Sequence, residues 1–301
     1  MIKLFLSKVI KILLPILLLM GVLEVALRRI PNDYSIKYSH LNNNAGKLKT
    51  LVLGSSHFYR GVDPSKLPQP AYNAAMFSQS IDYDYKVLVK FEDELDNLEN
   101  IILPISYFSL FTNLETGIEF WREKDYNIYY ELGEFHSLEL SKRNGFQNLI
   151  RVYNYYLKGE SYVQVNELGW GKKSGVASRY ELIESGVQAA ERHTANNFDL
   201  LSDQLNYLKK IIDMAEKNQW KLYLITPPGY TTYTSRLSDR QLNKTLEISK
   251  KFDDKFGFVY YKNFLKADFL NASDYFDADH LNENGAEKFS NAVNSFLIEN
   301  N

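Results

Sequence analysis

An alternation of short apolar runs with longer amphipathic segments constrains the fold of this 301-residue chain most strongly. The first run ends at Gly54 and the third ends just before Pro227, which gives each run the length of a strand. Uninterrupted apolar runs are typical of strands buried on both faces, as in parallel sheets. The sequence therefore predicts a three-layer α/β fold with helices on both faces of a parallel sheet. Predicted strands cover residues 49–53, 100–105, 220–225 and 258–261, and predicted helices cover residues 82–98, 198–218, 238–256 and 284–297.

The N-terminus forms a separate apolar segment. Three lysines and no acid precede an apolar run over residues 12–23, and residues 9–27 supply the roughly 20 residues that a bilayer requires. A cleaved signal peptide is the alternative, but residues 23–28 are bulky or charged where a cleavage site needs small side chains. We expect residues 1–30 to form an uncleaved signal anchor and transmembrane helix, followed by a tether over residues 31–48.

The charges around this segment predict its orientation. The lysines in front of the apolar run favour a cytoplasmic N-terminus, although Arg28 and Arg29 follow the run. The rest of the chain is then expected outside the cytoplasm, at the cell surface or in the periplasm, and the bilayer is a partner of the N-terminal helix. The chain has no cysteine, which fits an oxidising compartment and excludes disulfides, a thiol nucleophile and Cys-ligated zinc.

The overall composition separates the chain from nucleic-acid binders. Lys and Arg number 35 against 37 Asp and Glu, so the balanced charge argues against a nucleic-acid partner. A Tyr-rich stretch at about residues 112–197 breaks the alternation and is predicted to be an insertion in a catalytic domain over residues 49–301. The insertion either caps the strand ends, with its tyrosines and Trp121 or Trp170 stacking on sugar rings, or forms a small core of its own.

A candidate nucleophile follows the first predicted strand. Ligands bind at the carboxyl ends of parallel strands, and a Gly-x-Ser pattern ends at Ser56 at that point. The glycine permits a tight turn, which presents the hydroxyl to the crevice and brings backbone N–H groups to where they can hold an oxyanion. A second Gly-x-Ser pattern ends at Ser161, but no buried strand precedes it.

A candidate base lies near the C-terminus. Asp277 and His280 form the only Asp-x-x-His pattern of the chain, just before the last predicted helix. The spacing lets Asp277 accept a hydrogen bond from His280 and fix its tautomer, and His280 can then accept a serine proton. Asp279 is expected to point elsewhere, and His57 is the alternative base, although adjacent side chains do not face each other. The remaining histidines are interpreted as ordinary surface or core residues, namely His40, His136 and His193.

These two motifs resemble the SGNH (GDSL-like) hydrolase superfamily. Residues 51–57 resemble its nucleophile block, and residues 277–285 resemble its closing Asp-x-x-His block. The resemblance implies a flavodoxin-like fold, a catalytic triad of Ser56, Asp277 and His280, and no metal or organic cofactor. It extends from the first predicted strand to the C-terminus, apart from the insertion.

Two further blocks concern the oxyanion hole. Residues 72–78 resemble the second block, in which a backbone N–H serves the oxyanion, with Ser78 where glycine is usual. The third block falls near residues 105–108, where the usual Asn is absent and a neighbouring side chain can substitute for it. The candidates for oxyanion or substrate binding are Asn73, Ser78, Ser106, Tyr107 and His57.

Within this superfamily, a membrane anchor followed by these motifs is similar to proteins that move or remove acyl groups on cell-surface polymers. The resemblance implies an extracytoplasmic serine acyltransferase or acyl esterase that forms an acyl-serine at Ser56 and passes the acyl group to a glycan hydroxyl or to water. The implied partners are an acyl donor, a glycan or polymer acceptor and a multi-spanning membrane acyltransferase. The alternative is a non-catalytic glycan-binding or scaffolding module, which the missing Asn and the Tyr-rich insertion both favour. Other hydrolases such as a phospholipase form a third class.

Overall fold

The computed structural model describes residues 2–133, 137–141 and 145–300, so His136 lies outside the described residues. The chain forms two compact units, which we term the helical unit and the sheet unit. The helical unit comprises Met1–Tyr38 and Trp121–Gln164, and the sheet unit comprises Ser39–Phe120 and Val165–Asn301.

A sheet of five parallel strands lies within the sheet unit. The strands are β1 (Thr50–Val52), β2 (Ala71–Asn73), β3 (Asn100–Pro104), β4 (Lys221–Thr226) and β5 (Val259–Asn263). Their order is β2-β1-β3-β4-β5, and Leu51 of β1 pairs with Tyr72 and Ile101 on its two sides. Every residue of β1, β2 and β3 is buried, including those of the edge strand β2, as expected for a parallel sheet covered on both faces. The predicted α/β class with a parallel sheet is confirmed.

Eleven α-helices occur among the described residues. They are α1 (Ile2–Arg28), α2 (Asp33–Asn44), α3 (Ser56–Gly61), α4 (Ile81–Phe91), α5 (Glu123–Asp125), α6 (Gly145–Lys158), α7 (Arg179–His193), α8 (Leu201–Lys217), α9 (Thr231–Thr234), α10 (Asp239–Lys255) and α11 (Glu283–Glu299). Short 3-10 turns cover Ala45–Lys47, Pro64–Lys66, Glu92–Glu94, Phe120–Arg122 and Ala272–Asp274, and a π-helical turn covers Tyr126–Tyr130. Three predicted helices correspond to α8, α10 and α11, whereas the helix predicted over residues 82–98 ends early, at Phe91.

No apolar pattern in the sequence predicts strand β2. It is three residues long, follows Pro70 and carries a single large apolar side chain, so no apolar run marks it. After β2 the chain stays beside the end of β1, because the Met76 N–H donates to the Gly54 carbonyl over 2.9 Å. The short strand therefore brings the second resemblance block next to the turn that carries Ser56.

Residues 31–48, the predicted tether, are mostly helical. Helix α2 and the following 3-10 turn occupy most of this range. Leu41, Ala45 and Leu48 recur at intervals of four and three residues and are all buried. The helical spacing of these few apolar residues is hidden in sequence by the surrounding Asn and Ser residues, which is why the segment looks like a polar linker.

Helix α1 has the length and composition of a membrane span. Its most apolar 18-residue window has a mean hydropathy of 2.4, and a signal sequence near an N-terminus shares these properties. Of the described residues of α1, only Leu27 is buried. Large apolar side chains along the helix are exposed, which suits a lipid environment better than water.

The insertion predicted at about residues 112–197 is divided between the two units. Residues 121–164, which include α5 and α6, belong to the helical unit, and the following residues, which include α7, belong to the sheet unit. Trp170 is 7% exposed, and its indole N–H donates to the Arg60 carbonyl over 2.7 Å. This indole is therefore a packing element of the sheet unit and not an open stacking surface for sugars.

Candidate active site

The turn between β1 and α3 presents Ser56 at the start of a helix. Gly54 adopts a φ of 104°, and a Cβ at this position would lie 2.0 Å from the Pro104 side chain. Both facts require glycine here. The Gly54 N–H donates to Asp84 Oδ1 over 2.7 Å, which ties the turn to α4. Ser56 is thus held where the first strand of the sheet ends.

Asp84, which supports this turn, is a buried acid. Its Oδ1 also accepts a hydrogen bond from Gln79 Nε2 over 2.5 Å. Burial raises the pKa of the Asp84 carboxyl to about 8, against the opposing effect of its two hydrogen bonds. The Asp84 carboxyl that accepts the Gly54 N–H is therefore largely protonated at neutral pH.

A hydrogen-bonded chain joins Ser56, His280 and Asp277. His280 Nε2 lies 2.8 Å from Ser56 Oγ, and His280 Nδ1 lies 3.0 and 3.1 Å from the two carboxylate oxygens of Asp277. Asp277 Oδ1 also accepts the backbone N–H groups of His280 and Asp279, over 2.8 and 3.1 Å, which fixes the carboxylate in the loop before α11. The three side chains remain partly accessible. This arrangement meets the geometric requirement for activating a serine hydroxyl by a general base.

The charges around His280 favour its protonated form. Burial lowers the pKa of His280, but the negative charges of Asp279 and Asp277 outweigh burial, and the net pKa lies above the ordinary histidine value. Arg60 opposes them by lowering the pKa. An imidazolium formed when His280 accepts the Ser56 proton would therefore be stabilised in place.

Asp279 is a second buried carboxylate beside His280, so the expectation that it points elsewhere is wrong. Its Oδ1 lies 3.6 Å from His280 Nδ1, and its Oδ2 lies 3.2 Å from the Arg192 guanidinium. Burial acts to raise the pKa of Asp279, but His280 and the other adjacent histidines outweigh it and hold the pKa well below the usual range. The turn that bonds Asp277 to the backbone is tight enough to direct both acids towards His280.

His57 faces Ser106 instead of Ser56. Its Nδ1 lies 3.0 Å from Ser106 Oγ, and its Nε2 points at Asp279 Oδ2 from 3.6 Å. Burial lowers the pKa of His57, which keeps the imidazole neutral. The structure thus gives the alternative base other contacts, and the histidine that meets the Ser56 hydroxyl is His280.

Asn73 and Ser78 occupy different environments around β2. The Asn73 amide donates to the carbonyls of Phe58 and Val62, over 2.8 and 2.9 Å. Its Oδ1 accepts the Ala75 N–H over 3.0 Å. The Asn73 side chain therefore braces α3 against β2. Ser78 has a φ of 56°, in the left-handed region that favours glycine, which explains physically why a glycine is common at such a position.

Ser106 and Tyr107 follow β3 and are both buried. The Ser106 N–H donates to Ser109 Oγ over 2.9 Å, and its hydroxyl reaches the site through His57. The Tyr107 hydroxyl accepts the Ser238 N–H over 2.9 Å and lies 2.9 Å from Thr194 Oγ1. Tyr107 therefore links the end of β3 to the start of α10, and no contact described for it reaches Ser56.

Two side chains outside the sequence motifs complete the surroundings of Asp279. Helix α7 contributes Arg192 and His193 from its last turn. His193 Nε2 lies 3.9 Å from Asp279 Oδ2, and His193 Nδ1 lies 3.0 Å from the Tyr233 hydroxyl. These residues are far from the two motifs in sequence and form no local pattern with them, so only the folded chain reveals their proximity.

His57, Asp279 and His280 also offer donor atoms that lie within 4.8 Å of one another, a spacing that a metal ion can bridge. However, His280 Nδ1 is engaged by Asp277, and Asp279 Oδ2 is engaged by Arg192. A cation would have to displace a hydrogen bond and an ion pair to bind. The donor set therefore fits a hydrogen-bonded His–Asp network better than a metal centre.

Comparison with protein families and curated proteins found no related protein. No protein-family model matches the chain, and no curated protein sequence matches it. Function must therefore be argued from the geometry of the site itself.

Proposed function

We propose that the sheet unit is an SGNH-type serine acyltransferase or acyl esterase that forms an acyl ester on Ser56. The observation that carries this proposal is the hydrogen-bonded chain from Ser56 through His280 to Asp277. Two features of the fold support it. The strand order β2-β1-β3-β4-β5 matches the order of flavodoxin-like folds. Ser56 follows the carboxyl end of β1, and ligands of such folds bind at the carboxyl ends of the strands.

The first half-reaction uses each member of this chain. His280 Nε2 accepts the Ser56 hydroxyl proton while Ser56 Oγ forms a bond to the carbonyl carbon of an acyl donor. The tetrahedral intermediate collapses when the bond to the leaving oxygen breaks and His280 returns its proton to that oxygen. Asp277 holds the His280 tautomer, and Asp279 adds negative charge that stabilises the imidazolium.

The second half-reaction transfers the acyl group. An acceptor hydroxyl gives its proton to His280 and attacks the ester of Ser56, and His280 then reprotonates Ser56 Oγ. A glycan or polymer hydroxyl as acceptor gives a transferase, and water gives an esterase. The first turn of α3 leaves backbone N–H groups without partners inside the helix, and we assign oxyanion stabilisation to these groups and to the loop after β2.

We further propose that α1 anchors the chain in a membrane, with the sheet unit outside the cytoplasm. The support is the apolar composition of α1 and the lysines in front of its apolar core. The acceptor class is then a cell-surface glycan or polymer, and a multi-spanning membrane acyltransferase is the proposed source of the acyl group.

Labelling with a fluorophosphonate probe tests the chemistry. The purified chain should be labelled on Ser56, and both Ser56→Ala and His280→Ala should abolish labelling. Ser161→Ala is the matched control, because Ser161 ends the other Gly-x-Ser pattern and is exposed in the helical unit. Loss of labelling in Ser161→Ala with retention in Ser56→Ala would overturn the assignment of the nucleophile.

A non-catalytic module is the second candidate, and one observation favours it. The Asn73 amide is fully engaged in bracing α3, and residues 105–108 directly after β3 contain no Asn. The side-chain amide donors that could hold an oxyanion are therefore absent from these two positions. A folded chain that binds glycan and resists the probe would support this candidate.

A further inference from the structure

Helix α6 in the helical unit carries an exposed apolar stripe. Six apolar side chains recur at helical spacing along it, and each is between 41% and 75% exposed. At about 100° per residue they occupy an arc of about 120° on one side of the helix. They are Phe146, Leu149, Ile150, Tyr153, Tyr156 and Leu157.

The other side of α6 is packed firmly within the helical unit. Asn148 is fully buried, and the Arg151 guanidinium donates to Glu139 Oε2 over 3.0 Å. Glu139 in turn accepts hydrogen bonds from buried Lys124 over 2.6 Å and from the Tyr129 hydroxyl over 2.5 Å. Because these contacts fix the rotation of α6, the apolar stripe faces outward as a stable feature of the unit.

The same unit contains the end of the apolar helix α1. The Tyr156 hydroxyl donates to the Ala26 carbonyl over 3.0 Å. Glu24 accepts the backbone N–H groups of Glu139 and Leu140 over 2.9 and 3.0 Å. These bonds place α6 and the loop before it beside the last two turns of α1.

The length of α1 sets where this contact lies relative to a bilayer. Residues 9–27 of the apolar segment extend about 27 Å as a helix, close to the roughly 30 Å of hydrocarbon in a membrane. If these residues span the bilayer, Ala26 lies at its outer boundary, and Tyr156 lies at the same level.

We propose that α6 is an interfacial helix, whose apolar stripe inserts into the boundary between headgroups and acyl chains of the leaflet from which α1 emerges. This inference rests on the anchoring role proposed for α1 and not on the chemistry of Ser56. Phe, Tyr, Leu and Ile side chains suit this boundary, where apolar bodies enter the acyl chains and tyrosine hydroxyls stay at the headgroups. A bilayer is the occupant that the structure favours, because α1 brings the stripe to the membrane surface before any partner binds.

The chain offers a clean experiment, because it contains no cysteine. Single cysteines are introduced as Leu149→Cys on the stripe, as Gln147→Cys on the exposed polar flank of α6, and as Val22→Cys on the lipid-facing side of α1, where Val22 is 67% exposed. Each full-length variant carries an NBD fluorophore and is reconstituted in phosphatidylcholine–phosphatidylglycerol vesicles. Quenching by lipids with a doxyl group high on the acyl chain reports depth.

We expect the label at Leu149 to be quenched at least threefold more strongly than the label at Gln147, and the label at Val22 to be quenched as well. Equal quenching at Leu149 and Gln147, with strong quenching at Val22, would overturn the interfacial helix while leaving the anchor intact. An apolar emission at Leu149 without lipid quenching would also overturn it and indicate that a second copy of the chain covers the stripe. Absence of quenching at Val22 would overturn the anchor together with the interfacial helix. Fluorophosphonate labelling of Ser56 is measured separately in every variant, so the chemistry of Ser56 is tested independently of the membrane contacts.

Discussion

At the scale of single residues, removing the charge of Asp279 tests most clearly how electrostatics sets the pKa of His280. Its carboxylate lies 3.6 Å from His280 Nδ1, and the charged groups that act on His280 from the surrounding elements are Asp277, Asp279 and Arg60. The rate of Ser56 acylation should rise with pH and level off, with a midpoint above the ordinary histidine value of about 6.5. Because Asp279→Asn removes an anion that stabilises the imidazolium, the midpoint should move to lower pH. Labelling rates from pH 5 to 9 measure it, and an unchanged or raised midpoint would contradict the role given to Asp279.

The two carboxylates beside His280 also set the expected order of the active-site variants. His280→Ala removes the base and should lower kcat by roughly 10⁶-fold, whereas Asp277→Asn should lower it by roughly 10⁴-fold, on the scale seen when serine triads are dismantled. Asp277→Asn is milder because Asp279 remains next to the imidazole. Hydrolysis of p-nitrophenyl acetate measures both values, and an Asp277→Asn variant as inactive as His280→Ala would contradict this order.

The residues of the candidate site differ in how far the sequence predicts them. Ser56, Asp277 and His280 lie in motifs whose spacing has a local physical meaning, and the structure brings their side chains into hydrogen-bonding distance. Arg192 and His193 could not be predicted, because α7 places them beside Asp279 only through tertiary packing. The catalytic roles of Ser56, Asp277 and His280 stay predictions until the variants are measured.

At the scale of elements, the turn between β1 and α3 requires glycine at position 54. Gly54→Ala combines a left-handed φ with a clash against Pro104, whose ring cannot move aside easily. We expect this variant to lose at least about 2 kcal/mol of unfolding free energy, or to fail to fold. Gly257→Ala is the control, because a Cβ there meets open space. Urea unfolding compares them, and equal stability of the two variants would contradict the account of the turn.

The link between α4 and this turn predicts a pH-dependent stability. The folded pKa of Asp84 is about 8, far above its ordinary value of 3.8, so the folded chain binds more protons than the unfolded chain between these values. Stability from this group is therefore lost as pH rises towards 8. In Asp84→Asn the amide oxygen can still accept both hydrogen bonds and cannot ionise. The advantage of Asp84→Asn over the wild type should grow by a few kcal/mol between pH 5 and pH 8 in urea unfolding, on the order of 1.4 kcal/mol per pH unit.

An advantage of Asp84→Asn that stays constant across this pH range would show that the carboxyl is ionised in the folded state. Asp239→Asn is a suitable control, since the Asp239 side chain lies in the exposed first turn of α10.

The elements of the sheet differ in how strongly the sequence marks them. Strands β3 and β4 have uninterrupted apolar runs and are predictable from periodicity alone. Strand β2 is too short for any periodic signal, and its parallel pairing with β1 is a long-range contact. Helix α2 is concealed because its buried side chains are few among many polar ones. Long-range packing, which leaves no local pattern, decides both of these elements.

At the scale of the whole molecule, the end of α1 is a packed part of the helical unit. Leu27 is fully buried, and Glu24 holds two backbone N–H groups of the loop before α6. A chain that starts at Glu24 should therefore keep the helical unit folded, whereas a chain that starts at Pro31 should lose protection of α6. Hydrogen exchange of residues 145–158 measures the difference, and equal protection in the two chains would contradict it.

The most direct test of Ser56 as the acyl acceptor is to locate the acyl group on the full-length protein. The purified chain is mixed with p-nitrophenyl acetate, stopped in acid and digested, and the acetylated peptide is sequenced by mass spectrometry. We expect one acetyl group, on Ser56, which His280→Ala prevents and Ser161→Ala does not. Acetylation elsewhere, or none in a correctly folded chain, would contradict the proposal that Ser56, His280 and Asp277 form a working acyl-transfer site.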